Sequence, residues 1–134
     1  MFTAPVNYWA ILVGAISNMI VGSVWYSKAL FAEQWMKALG KKKEELGSPQ
    51  TAMVVMFIGA LVQSYILAHF IAFAGEKTPA GGAKIAFWAW LGFVAVVQLG
   101  GSLFEGRPMK LFKINVGYSL VALLIMGAIL GAWH

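Results

Sequence analysis

The stretch "LFEGRPMKLFKIN", residues 103–115, places one acidic and three basic side chains between two long apolar runs. Glu105 lies two residues from Arg107. A carboxylate near a helix C-terminus opposes the helix dipole, so it needs a cation or water nearby. Two interpretations follow: an ion pair that fixes a hairpin turn, or a protonatable carboxylate at the mouth of a polar path. The ion pair is favoured, because charges at helix ends cost less than charges in mid-membrane.

Amide side chains lie inside the apolar runs, where they favour a partner in the protein over lipid. Gln98 and Glu105 are seven residues apart and therefore share a helix face, which Leu91 and Ser102 extend. The spacing predicts a polar stripe that runs from the chain turn towards mid-membrane.

A second stripe consists of small residues at four-residue spacing, which is typical of close helix packing. Its members are Ala10, Gly14, Asn18 and Gly22. A structural hydrogen bond from Asn18 to Gln98 or Gln63 is favoured over a ligand site. A GxxxG pattern in the last apolar run suits packing within the chain or self-association; it consists of Gly127 and Gly131.

The residues that could act on a ligand form one candidate polar site, consisting of Asn18, Gln63, His69, Gln98, Glu105, Arg107 and Asn115. We expect no catalytic, cofactor-binding or metal-ligating set. The chain has no cysteine, and His69 is its single histidine besides the last residue, so the usual metal ligands are missing. A hydrogen-bonded histidine is the expected role of His69.

Composition indicates a membrane protein. Hydrophobic residues make up 60% of the 134 residues and charged residues 11%, whereas soluble domains have about half and about a quarter. The net charge is +5, and the basic residues flank apolar runs. We therefore expect anionic lipid headgroups, and not nucleic acid, as their partners.

Hydropathy predicts an all-α fold, a four-helix membrane bundle that occupies residues 1–134 as one domain. A span needs about 20 mostly apolar residues. The expected spans are residues 7–26, 52–74, 84–104 and 112–133, and an amphipathic helix over residues 28–39 is expected to lie in the membrane interface.

The distribution of basic residues predicts the orientation. The first and third connections hold eight of them: Lys28, Lys37, Lys41, Lys42, Lys43, Arg107, Lys110 and Lys113. The other face holds Lys77 and Lys84. We expect an inner, cytoplasmic bacterial membrane with both termini outside.

The first and third spans can be aligned as a parallel internal repeat, with an axis along the membrane normal. "YWAILVGAISNMIVGSVWYSKALF" then lies on "FWAWLGFVAVVQLGGSLFEGRPMKLF", and Tyr26 falls opposite Glu105. A chance alignment of two apolar stretches explains the matches equally well.

Several stretches together resemble a known family: "NYWAI", "VWYSKALF" with "WMKALG", "LAHF", and "QLGGSLFEGRPMKLFKINVGYSL" with "LIMGAIL". The chain is similar to members of the domain-of-unknown-function family numbered 1761, which are small four-span bacterial membrane proteins. The resemblance implies the topology and carries no settled activity.

Three functions remain open at this level. The leading one is a structural or regulatory multi-pass protein that forms a homo-oligomer. The alternative is a small-solute transporter or channel, with a polar path near Asn18, Gln63, Gln98 and Glu105. A small membrane enzyme ranks third, because Glu105, Arg107 and Asn115 only loosely echo a catalytic pattern.

Overall fold

The computed structural model describes residues 5–27, 30–40 and 49–134, and these parts of the chain are almost entirely helical. The helices are α1 (Tyr8–Trp25), α2 (Ala32–Leu39), α3 (Pro49–Ala74), α4 (Pro79–Trp90), α5 (Val96–Glu105) and α6 (Met109–Ala132). A short π-helical segment, Leu91–Ala95, joins α4 to α5 into one continuous rod.

Four of these helical stretches are long and apolar enough to cross a membrane. They are Tyr8–Trp25, Gln50–Ala74, Pro79–Glu105 and Met109–Ala132. The protein is thus a multi-pass membrane protein built as a helical bundle, as the hydropathy predicts. Helices α3, α4 and α6 each begin three to five residues before the expected spans, because Pro49, Pro79 and Pro108 stand at or just before the first turn. Proline is tolerated there, since that N–H has no helical partner.

Local capping explains where the helices begin and end. The Asn7 side chain accepts hydrogen bonds from the backbone N–H groups of Trp9 and Ala10, which starts α1. Thr78 caps α4 in the same way, through the N–H of Gly81. Gly40 and Gly106 end α2 and α5 with positive φ angles of 72° and 67°, a conformation that glycine adopts without strain.

The amphipathic segment that was expected over residues 28–39 contains α2, which begins later, at Ala32. Residues 28 and 29 of that expectation lie outside the described residues. Glu33 and Lys37 are exposed on α2, while Trp35 packs edge-on against Tyr26 at 5.7 Å between ring centroids. The helix is therefore docked on the end of the bundle where α1 ends.

The main cluster of buried hydrophobic residues lies towards one end of the bundle, near the turn between α3 and α4. Its buried residues come from the start of α1, the end of α3, the middle of α4 and the end of α6: Ala10, Ile11, Leu67, Ala68, Ile71, Ala86, Leu123, Met126 and Leu130. Helix α6 is central, because it packs against α1, α3 and α4. At the opposite end, α5 makes few contacts with α6, and its contact with α3 is marginal at most.

Candidate functional site

A polar cavity of about 410 Å³ fills the end of the bundle where α5 stands away from its neighbours. Helices α1, α3, α5 and α6 and the turn before α6 all contribute to its walls. The lining residues are Asn18, Tyr26, Met56, Gln63, Val94, Gln98, Gly101, Ser102, Glu105, Arg107, Leu111, Phe112, Asn115, Tyr118, Ser119, Ala122 and Leu123. This volume lies within the range of small-molecule pockets.

Six of the seven residues of the candidate polar site line this one cavity. The exception is His69, which is 5% exposed and lies on α3 outside the lining. Its Nδ1 lies 2.8 Å from the carbonyl oxygen of Tyr65, one turn earlier. Its ring lies between those of Tyr65 and Phe73. The histidine thus serves the packing of α3.

The cavity exists because the two halves of the third span pack differently. At Gly82 the backbone of α4 touches that of α6, since a Cβ placed there would overlap the carbonyl group of Gly127. Gly131 approaches the carbonyl oxygen of Thr78 just as closely. The GxxxG pattern of α6 therefore serves a helix crossing inside the chain, of the small-residue type.

The π-helical segment sets which face of α5 looks into the cavity. A π turn holds one residue more than an α turn, so a spacing of seven residues across it no longer returns to the same face. Leu91 was expected to share a face with Gln98, and it does not line the cavity. Val94 and Ser102, four residues on either side of Gln98, do.

Two tyrosine–asparagine pairs hold the inner wall of the cavity. The Tyr118 hydroxyl donates to Asn18 Oδ1 over 2.5 Å, and the Tyr26 hydroxyl donates to Asn115 Oδ1 over 2.6 Å. Each pair ties α6 to the first span or to the residue that follows it. Asn18 was expected to bond Gln98 or Gln63; its Oδ1 accepts from Tyr118 instead.

The remaining two glycines of the predicted packing set make room for these contacts. A Cβ on Gly22 would lie 3.3 Å from the ring of Tyr118, so Gly22 accommodates the tyrosine that bonds Asn18. A Cβ on Gly14 would lie 2.6 Å from Ser64 Oγ at the crossing of α1 and α3. The small-residue stripe of α1 thus faces two different helices along its length.

The Tyr26 phenol acts as a hydrogen-bond donor. Burial raises the pKa of the Tyr26 phenol above its ordinary value, and the neighbouring Tyr118 raises it further. A phenol is protonated at physiological pH even at its ordinary pKa, and the hydroxyl proton of Tyr26 is donated to Asn115.

Two glutamine side chains have unused hydrogen-bonding groups. The Oε1 atom of Gln98 is buried, and no partner for it exists among the described residues. Gln63, near the middle of α3, is exposed along the same cavity. Buried polar groups normally have a partner in the protein or in ordered water, so the Gln98 oxygen is unusual. The exposed amide of Gln63 is the group that a polar ligand in the cavity can reach.

An ion pair stands at the open end of the cavity. Arg107 Nε lies 2.5 Å from Glu105 Oε2, and both side chains are more than half exposed. The backbone N–H of Arg107 also closes the end of α5 through the carbonyl oxygen of Ser102. This geometry agrees with the favoured interpretation, an ion pair that fixes the hairpin turn. It also places both charged side chains in the lining of the cavity.

Tyr26, Tyr118 and Ser119 were not among the residues predicted for the site, whereas Ser102 was predicted on the polar stripe with Gln98 and Glu105. Tyr26 follows a tryptophan at the end of the first apolar run, a position typical of aromatic residues at the membrane interface. Tyr118 lies one turn after Asn115 on α6, and that spacing on a shared face was the available signal. Ser119 accepts the indole N–H of Trp90 over 3.1 Å, a contact across 29 residues that no local pattern encodes.

The chemistry of this site is hydrogen bonding. Among the residues that the structure describes, no three His, Cys, Asp or Glu side chains are grouped so that they could hold a metal ion. The lining offers amides, hydroxyls and one internally neutralised ion pair. These groups can select a polar solute and orient it.

Comparison with known families decides the identity of the chain. The sequence model of a family described as "Protein of unknown function (DUF1761)" matches residues 9–131. The chain belongs to DUF1761. No curated protein and no solved structure matches it. The matched region contains every lining residue of the cavity, so the cavity of this DUF1761 protein belongs to the part that defines the family.

Proposed function

We propose that this protein is a small-solute transporter or channel, which binds a polar solute in the cavity between α1, α3, α5 and α6. One observation carries the proposal: Asn18, Gln63, Gln98 and Glu105, from three different helices, line one space of about 410 Å³. If these amides served only to hold the helices together, we would expect them to be buried and hydrogen-bonded to each other.

The energetics of polar groups in a membrane support the same conclusion. Gln63 stands near the middle of α3 and is exposed, and Gln98 carries an unpartnered buried oxygen. An amide in hydrocarbon without a hydrogen-bond partner is costly. Polar residues at such depth face a bundle interior or a water-filled space and mark solute paths.

The proposal includes the location and orientation. We place the protein in the cytoplasmic membrane with both termini outside, because Lys and Arg concentrate at the end that holds the cavity. The cavity then opens towards the cytoplasm, and α2 lies in the inner interface. The basic residues around it contact anionic headgroups.

Cysteine labelling tests whether the cavity is wet. The natural chain has no cysteine, so single substitutions carry no background. We expect Gln98→Cys to react with a charged, water-soluble maleimide in proteoliposomes. Its neighbour Val97→Cys faces away from the cavity and is 67% exposed, so in lipid it should stay unreactive. Equal reactivity of the two cysteines, or no reaction at either, would contradict the proposal.

Solute passage tests the transport step. Proteoliposomes shrunk in a permeant polar solute should recover volume faster than empty liposomes, as measured by light scattering. Gln98→Leu should slow recovery and Leu103→Ala should not, because Leu103 points away from the cavity and is 63% exposed. Recovery no faster than that of empty liposomes for every solute tested would refute transport and leave a binding role.

A second candidate is the structural or regulatory homo-oligomer. A Cβ added at Gly92 or Gly100 of the third span would meet no atom within 4 Å. Among the described residues, no helix therefore packs closely against these two glycines. Small residues on a lipid-facing surface suit close contact with another helix. Oxidative crosslinking of Gly100→Cys in native membranes should then give a dimer, and Val54→Cys, at a bulky position of α3 that is 59% exposed, should not. A monomer in both cases removes this candidate.

A further inference from the structure

The donors and acceptors of the cavity define the chemical class of its ligand; this inference rests on the proposed function. Tyrosine hydroxyl protons are already committed, because those of Tyr26 and Tyr118 go to the two asparagines. The hydroxyl of Ser119 donates to the carbonyl oxygen of Val116 over 2.9 Å. The hydroxyl groups that line the inner wall therefore already donate their protons to acceptors within the protein.

The asparagines are oriented by these bonds. Because Oδ1 of Asn18 and Oδ1 of Asn115 each accept a tyrosine hydroxyl, each side chain turns its Nδ2 group, with two N–H donors, to other partners. No hydrogen bond to either Nδ2 occurs within the described residues. The inner wall thus presents amide donors to the cavity.

The facing wall offers an exposed amide. Gln63 on α3 lines the cavity and is exposed, so its Oε1 can accept from a ligand, whereas Gln98 Oε1 is buried without a partner in the described part of the chain. A ligand that uses both walls accepts from the asparagines and donates to Gln63. Hydroxyl and carboxamide groups do both, whereas carboxylates and phosphates only accept and ammonium groups only donate.

The distribution of charge around the cavity also favours a neutral ligand. Glu105 and Arg107 neutralise each other at the open end, so the lining offers no unbalanced formal charge to an ionic ligand. Apolar surface is also present, since the rings of Tyr26 and Tyr118 lie 5.5 Å apart and Phe112 completes that side. Such rings can cover the C–H face of a polyhydroxy compound.

We propose that the cavity binds neutral solutes with several hydroxyl or carboxamide groups, the class of sugars and polyols, and excludes ions of the same size. The same group reaches the cavity either free in water or as the neutral head of a lipid. The lipid route is open because α3 and α5 both line the cavity and make at most marginal contact with each other.

A labelling-protection experiment tests this class. Ser102→Cys in proteoliposomes is alkylated with a soluble maleimide in the presence of glucose, glucosamine or gluconate, which are similar in size and differ in charge. We expect glucose to slow the alkylation at least threefold and both charged analogues to leave it unchanged. Equal or stronger protection by a charged analogue, or protection by none of the three, would overturn the class.

Two variants assign the protection to named groups. Gln63→Leu and Asn18→Ala should each raise the glucose concentration for half-protection about three- to tenfold, the effect of losing one neutral hydrogen bond. Leu103→Ala should leave it unchanged. Unchanged protection in both site variants would overturn the assignment even if one of them folded poorly, because the other reports independently.

A lipid arm separates the two sources of the ligand. The same alkylation is measured in liposomes of phosphatidylethanolamine with and without a monoglucosyl diacylglycerol. Protection by the glycolipid alone assigns the site to a lipid head, and protection by free glucose alone assigns it to a soluble solute. Failure of the two hypotheses is distinguishable: an unreactive Ser102→Cys contradicts the proposed function, whereas a reactive but unprotected one contradicts only the ligand class.

Discussion

The hydroxyl of Tyr118 on α6 donates to Oδ1 of Asn18 on α1 over 2.5 Å, joining residues 100 positions apart in the chain. This bond has two consequences. It holds the first span to the central helix below the packed core, and it fixes which end of the Asn18 amide faces the cavity. One hydrogen bond therefore serves both the packing of the helices and the proposed selection of a ligand.

Tyr118→Phe removes this bond and leaves a buried carbonyl oxygen without its donor. We expect a loss of about 1–2 kcal/mol in the free energy of unfolding, measured by denaturation in mixed micelles. A double-mutant cycle with Asn18→Ala should give a coupling energy of roughly 0.5–1.7 kcal/mol. Tyr65→Phe is the control, because no hydrogen bond of its hydroxyl occurs among the described residues; a coupling near zero would show that the bond adds nothing.

Gly127→Ala should destabilise the protein by about 1–3 kcal/mol. The new Cβ would meet the carbonyl oxygen of Gly82 and the side chain of Ala86, at a crossing where neither backbone can move independently. Gly100→Ala has open space instead and should be neutral or stabilising, by up to about 1 kcal/mol from helix propensity. Thermal unfolding in detergent would compare the two, and the reverse order of stability would disprove the close crossing.

Glu105→Gln should change the free energy of unfolding by less than about 1 kcal/mol, since the pair with Arg107 is more than half exposed. The same change should slow solute passage through proteoliposomes, because the carboxylate lines the open end of the cavity. Glu33→Gln on exposed α2 is the matched control and should alter neither property. A loss of several kcal/mol would show that the ion pair stabilises the turn far more than its exposure predicts.

The orientation can be checked with two cysteines in turns at opposite ends of the bundle. Lys77→Cys, in the turn between α3 and α4, should react with an impermeant maleimide in intact spheroplasts. Lys110→Cys, at the start of α6, should react only after permeabilisation, because basic residues concentrate on its side. The opposite pattern would invert the protein and open the cavity to the outside.

Deletion of Phe93 should be tolerated. This residue lies in the π-helical segment and is 72% exposed, so its removal leaves a regular α-helix and keeps the faces before and after it aligned. Deletion of Ile85 should abolish folding, because it rotates Gly82 by about 100° away from Gly127. Protein yield and Ser102→Cys labelling provide the measurement. Loss of folded protein in both deletions would show that the wide turn does not hold a surplus residue.

The positions of the membrane helices were predictable from the sequence, because hydropathy over a window of about 20 residues reflects a strong physical constraint. The polar residues of the cavity were predictable for a related reason. Gln63, Gln98 and Asn18 stand out because amides are rare and costly among apolar residues. Six of the seven residues proposed from this argument do lie together.

The hydrogen-bond partners of those amides could not be predicted from the sequence. Tyr118 and Asn18 are 100 residues apart, and no local spacing relates them. The π-helical segment was equally hidden, since "LGFVA" differs little in type from the residues around it. The helical periodicity that assigned Leu91 to the polar face assumed a regular α-helix. One extra residue in the π-helical turn changes which residues share a face, so that assignment was wrong. Both features depend on how α6 packs against its neighbours.

The location of the core at one end of the bundle has a consequence for motion. Local opening costs least where few apolar side chains are buried, and in the described chain that is the end formed by α5. The protein can therefore open its cavity end by an event that leaves the crossing of α4 and α6 intact. The part of the bundle that resists unfolding and the part that opens most easily would then lie at opposite ends of the same helices.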